Sequence, residues 1–99
     1  MSVRYTPAAL ADMNDIFNTI ALSNPVAAQN VEDRVRDTTD RLGQFPGVGA
    51  RTDLEDVRRL PLVRYPYTIY YRIVSAENSV EILRIVHAAS IKSLRQLPK

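Results

Sequence analysis

Cysteine and tryptophan are absent from this 99-residue chain, and histidine occurs once, as His87. Without cysteine there can be no disulfide and no thiolate metal site, which suits a reducing cytoplasm. One histidine cannot build a metal centre by itself. No apolar run approaches the ~20 residues needed to span a bilayer. The opening MSVRYTPAALADM lacks the basic segment, apolar core and small-residue cleavage site of a secretion signal. A cytoplasmic, soluble protein without metal or cofactor is expected. Glycine is also scarce, with three residues. The GVG at Gly47–Gly49 follows a helical pattern rather than a strand, and neither GK[ST] nor GxGxxG accompanies it, so it reads as a connector and not a phosphate loop.

What is present fits one domain over residues 1–99, with 45% hydrophobic residues, enough for a core of its own. The net charge of +2 hides an asymmetry. Residues 1–56 hold nine acids against five arginines, a balance of −4, whereas residues 57–99 hold eight lysines and arginines against two glutamates, a balance of +6. A basic second half suits a face for nucleic acid or an acidic partner, or else a solvated surface.

SVRY, Ser2 to Tyr5, is a short β-prone run. Thr6 then stands at a helix N-cap with Pro7 at the first helical position, where its missing N–H costs nothing. Leu10, Met13, Ile16, Phe17, Ile20 and Ala21 recur at helical spacing. Asn24 and Pro25 repeat the start signal for a second helix, whose apolar stripe is Ala27, Ala28, Val31, Val35, Leu42 and Phe45, interrupted by Thr38 and Thr39. FPGVGA stops it. From Val57 the period changes to two. VRRLPLV is an irregular strand in which Pro61 argues for an edge or a bulge. Tyr67, Ile69, Tyr71 and Ile73 form one face of the next strand, and Thr68, Tyr70, Arg72 and Val74 the other. SAENS turns the chain into VEILRIVHA, apolar on both faces and therefore central. The fold class is α+β: an N-terminal strand, an antiparallel helix hairpin, then a three-stranded antiparallel meander. Two helices can cover only one face of the sheet.

The order of PAALADMNDIFNTIA, NPVAAQNVEDRVRDTTDRLGQFPGVG, VRRLPLVRYPYTIYYRI and VEILRIVHAA resembles the RelE/ParE family of bacterial type II toxins over essentially the whole chain. The resemblance implies neutralisation by a small antitoxin. It also implies one of two targets: the ribosome, with mRNA cleavage, in the RelE branch, or DNA gyrase in the ParE branch.

Metal-free RNA cleavage requires groups that activate a ribose 2′-hydroxyl, stabilise the phosphorane and protonate the leaving oxygen. Arg58, Arg59, Arg64, Tyr70, Arg72 and His87 are the available pieces. The RelE pattern RLVY is here TIYY, so Thr68 stands where the family's arginine would. Ala88 and Ala89 occupy positions that the RelE branch fills with basic, histidine or tyrosine residues. Arg59 roughly matches a basic position of that branch. His87 reads either as an acid or base or as a residue packed at the sheet edge. Lys92, Arg95 and Lys99 could touch phosphate or form a solvated tail.

Tyr67 and Tyr71 are expected beneath the helices. Tyr70, with Thr68 and Arg72, is expected on the uncovered face, where aromatic and arginine anchors suit a protein interface. The pattern therefore favours the ParE branch, with no catalytic residues. Arg59, Arg64, Thr68, Tyr70, Arg72, Arg84 and His87 are candidates for binding an acidic, partly disordered antitoxin or the target. Arg84 needs a bulge to leave the face of Val80 and Ile82. The alternatives are a ribosome-dependent mRNA endonuclease using Arg59, Arg72 and His87, and a degenerate, non-toxic binding module.

Overall fold

The computed structural model describes residues 1–88. Strand β1 (Ser2–Tyr5) leads into helix α1 (Pro7–Ala21), and the Thr6 hydroxyl accepts the Ala9 N–H at 3.0 Å to cap it. Helix α2 (Pro25–Gln44) starts the same way, with Asn24 accepting from Ala27 N–H at 3.0 Å. In both, a side-chain oxygen satisfies a donor that has no partner within the helix, and proline takes the position that needs none.

The remaining chain forms β2 (Ala50–Arg51), β3 (Arg58–Pro61), β4 (Tyr67–Val74) and β5 (Ser79–His87). They join β1 in one sheet of order β1-β5-β4-β3-β2. The β1–β5 pair is parallel and the others are antiparallel. Strand β5, apolar on both faces, is flanked by β1 and β4 as its pattern predicts. Pro61 lies on β3 past the two residues that pair with β2, where among the described residues no outer strand asks for its missing N–H. The two-residue β2, which breaks no periodicity, is an addition to the expected meander.

The helix hairpin packs on one sheet face. Val35 and Leu42 of α2, Met13 of α1, and Ile69, Tyr71 and Ile82 of the sheet belong to the core there. Burying each such side chain contributes about 1.5–3 kcal/mol. Two large residues of the expected helical stripes are exposed instead of packed in this core. Leu10 is 53% exposed, and Phe45 is 62% exposed because α2 ends at Gln44 and the chain turns away at the cap.

The register slips once in the β4–β5 ladder. Tyr70 pairs with Arg84 and Tyr71 with Ile82, leaving Leu83 without a partner in β4. The bulge expected for Arg84 is therefore present, but it does not release the side chain. Strand β1 ends opposite Ile82, and the start of α1 takes over its hydrogen-bonding role. Thr6 N–H donates to Ile82 O, its hydroxyl donates to Leu83 O, and the Asp12 carboxylate accepts from Ile85 N–H at 3.0 Å. The same carboxylate accepts from Arg84 Nε at 2.6 Å and Nη2 at 2.9 Å.

Candidate functional site

The face opposite the helices is not bare. Tyr70 lies on it as alternation requires, yet is 7% exposed and packs with Val57, Leu83 and Val86, with Leu54 alongside. The cover comes from the connection between β2 and β3. The Thr52 N–H and hydroxyl both donate to Val57 O, at 3.2 and 3.0 Å, and Leu54 N–H donates to the Thr52 hydroxyl at 3.1 Å. These bonds close a compact loop that folds Leu54 and Val57 onto the sheet. The expectation of Tyr70 as an exposed interface anchor is corrected accordingly: its ring belongs to a second, smaller core. Thr68, on the same face, is also buried.

The candidate cations divide into engaged and free. Arg72 faces Glu81 across the ladder and donates to its carboxylate from Nε at 2.7 Å. Arg84 is held by Asp12, and this hydrogen bond raises its pKa above the ordinary guanidinium value, against the opposing effect of burial. Arg59 and Arg64 are exposed and form no ion pair or side-chain hydrogen bond among the described residues. Arg64 sits in the β3–β4 connection with φ 74°, in the left-handed region that side chains other than glycine rarely adopt.

His87 is exposed, pairs with Tyr67 at the far end of the ladder, and meets its ring edge-on with centroids 5.6 Å apart. From Tyr67 to Arg72 along β4 is about 17 Å at the usual strand rise. Alternation also places Arg72 and Arg59 on one face and the Tyr67–His87 pair on the other. Arg59, Arg72 and His87 are therefore not brought together. Ala89, Lys92, Arg95 and Lys99 lie outside the described residues.

A surface that sequence reasoning missed lies between α2 and β3. A groove of about 660 Å³ is lined by Arg34, Thr38 and Arg41 of α2, Leu60 of β3, and the neighbouring Phe45 and Val63. Phe45, Val48 and Val63, all on this groove, are 62%, 59% and 62% exposed. Three large apolar side chains left open on one groove are the kind of feature that marks a binding surface. The one signal for it in the sequence is the run FPGV, where apolar residues continue past the end of the helix.

The turn that carries Phe45 and Val48 is fastened to the sheet from below. The Tyr71 hydroxyl accepts from Gly49 N–H at 2.9 Å and donates to Pro46 O at 2.7 Å, while Arg58 Nη1 donates to Gly49 O at 2.8 Å. Burial pushes the Tyr71 pKa up, partly opposed by the Gly49 hydrogen bond and the nearby Arg58 charge. Gly49 has no room for a side chain: a Cβ there would stand 2.6 Å from the Tyr71 hydroxyl oxygen.

Residues 3–91 match the family described as the ParE toxin of the type II toxin-antitoxin system parDE. The chain belongs to the ParE toxin family. Toxin RelE2 of Caulobacter vibrioides is 37% identical over 89 residues, covering 90% of this chain and 97% of that protein. Among solved structures, the chromosomal ParDE system of P. aeruginosa superposes with a TM-score of 0.78 at 27% identity, covering 88% of this chain and 95% of that one. The toxin–antitoxin complex RelBE2 of Mycobacterium tuberculosis gives 0.58 at 26% identity, covering 87% and 88%. This ParE-family chain is thus a type II toxin by sequence and by fold. Among its described residues no helix is long and apolar enough to cross a membrane.

Proposed function

We propose that this toxin arrests growth by binding and inhibiting DNA gyrase, and that a cognate antitoxin neutralises it. The observation that carries the reading is the match to the ParE family over residues 3–91, joined to the dispersal of the residues that could cut RNA. Arg72 is bound to Glu81 and His87 lies at the other end of the ladder from it, while Thr68, where the RelE arginine would stand, is buried and carries no charge. Occupancy of a protein target needs no assembled acid and base. The solved relatives in ParDE and RelBE2 systems support an antitoxin partner. Arg59 and Arg64, with no carboxylate partner among the described residues, are suited to meet acidic side chains on it.

A second reading, ribosome-dependent mRNA cleavage, is favoured by the relative named RelE2 and by the exposed Arg59. Side-by-side assays of gyrase supercoiling and ribosome-dependent mRNA cleavage with the purified toxin separate the two. Inhibited supercoiling with intact mRNA supports the gyrase reading. Cleaved mRNA with unaffected supercoiling overturns it.

A further inference from the structure

We infer that Tyr71 sets the affinity for the antitoxin without touching it, by holding, together with Arg58, the Pro46–Gly49 turn so that Phe45 and Val48 stand ready to receive a helical, apolar segment of that partner. This rests on the reading above that an antitoxin engages the toxin. It adds where the segment docks, in what conformation, and what prepares the site.

The docking surface is the groove between α2 and β3. Its exposed Phe45, Val48 and Val63 offer apolar contact on both sides. Among the described residues the outer edge of β3 has no strand neighbour beyond Arg59, which leaves backbone room for an added strand. Pro61 stands in that stretch and has no N–H to give, which disfavours strand addition and leaves side-chain insertion from a helix as the fitting mode. The charges at the rim suit an acidic helix. Arg34 and Arg41 line the groove seven residues apart, on one side of α2, and Arg64 adjoins Val63. None of the three has a carboxylate partner among the described residues; Arg34 and Arg41 share the groove's lining with Asp37 and Asp40, and Arg64, next to Val63 in the chain, tips the local balance to positive.

Exposed apolar side chains on a short turn would ordinarily lose freedom on binding, and that loss subtracts from affinity. Here the turn is already fixed. Tyr71 reaches Pro46 O and Gly49 N–H, Arg58 reaches Gly49 O, and Val48 N–H closes onto Phe45 O at 3.2 Å. Tyr71 is itself fully buried, so no partner can reach it. Its contribution to recognition is therefore that of a positioning residue.

The test uses the full toxin and the antitoxin encoded by its neighbouring reading frame, with binding rates measured by surface plasmon resonance. Three variants are compared: Phe45→Ala in the groove, Tyr71→Phe in the clamp, and Ile85→Val in the remote core as a stability control. Phe45→Ala is expected to weaken binding about tenfold or more, as for a central anchor. Tyr71→Phe is expected to weaken it about fivefold, because only a fraction of molecules then holds the turn ready, with faster hydrogen exchange at Val48. Ile85→Val is expected to bind as the parent does. Unchanged binding by Phe45→Ala overturns the docking site. Loss in Phe45→Ala with none in Tyr71→Phe overturns the positioning role and leaves the docking site standing. Equal losses in Tyr71→Phe and Ile85→Val, once both are shown to be equally destabilised, overturn the positioning role in favour of stability alone.

Discussion

Asp12 and Arg84, 72 residues apart in the chain, form a two-pronged ion pair that joins α1 to the bulge of β5. The side chains are 14% and 20% exposed, so neither charge could be left alone cheaply. Replacing Asp12 by alanine removes the partner of Arg84 and the acceptor for Ile85 N–H. A loss of about 3 kcal/mol is expected, near the low end for a buried pair because some water remains. The pair Asp12→Leu with Arg84→Met should recover much of it, since no charge is then stranded. Urea denaturation of Asp12→Ala and of the double variant against the parent measures both effects.

Gly49 and Gly47 stand two residues apart and should respond oppositely to alanine. A Cβ at Gly49 would meet the Tyr71 hydroxyl at 2.6 Å and Arg59 O at 2.7 Å, whereas a Cβ at Gly47 meets nothing within 4 Å. Gly49→Ala is expected to lower stability by about 1–3 kcal/mol, as overpacking does. Gly47→Ala should be neutral or slightly stabilising through the unfolded state. Thermal unfolding of the two variants against the parent decides it.

The buried Tyr71 phenol predicts an alkaline limit to stability. Its folded pKa is raised, so the folded state holds the proton to higher pH than the unfolded chain does. The contribution is intact below the unfolded value of about 10 and is lost as pH rises from there through the folded pKa. Denaturant titrations from neutral pH to above pH 10 should show the parent losing this increment. In Tyr71→Phe, that part of the slope should be absent.

Arg64 should trade stability against recognition. With φ 74°, its left-handed backbone costs roughly 1 kcal/mol that glycine would not incur. Arg64→Gly is expected to raise the melting temperature while weakening antitoxin binding. A gain in both would remove Arg64 from the binding surface.

Growth arrest offers a direct test at His87. If the toxin acts by occupying gyrase, His87→Ala should still arrest growth when expressed without antitoxin, because no proton transfer at that imidazole is involved. Abolished arrest in a variant that remains folded, accompanied by lost mRNA cleavage, would favour the ribonuclease reading.

Local chemistry made much of this molecule legible in one dimension. The threonine–proline and asparagine–proline starts of the two helices and the face assignment of Tyr71 depend on residues a few positions apart, and so could be read directly. The candidate site was less legible. Arg59, Arg64, Arg72 and Arg84 stand together as binding candidates in the sequence, but only Arg59 and Arg64 are exposed without a partner among the described residues, while Arg72 and Arg84 are engaged internally. Tyr70 likewise follows the two-residue period onto the face away from the helices. Nothing in that period reveals that Thr52 closes a loop which lays Leu54 and Val57 over it.

The sequence by itself determined the order of the helices and of every strand but β2, the placement of β5 inside the sheet and the absence of thiol chemistry, because each follows from composition or from spacing along the chain, and its motifs in their order resemble the toxin family. Only the tertiary structure decided which arginines are free, which tyrosines are reachable and where the apolar groove opens. Those properties depend on the one-residue bulge at Leu83, on a carboxylate 72 residues from its guanidinium and on a phenol that holds a turn whose Gly49 lies 22 residues earlier in the chain. Contacts of that kind arise from packing two layers together, and local periodicity does not encode them.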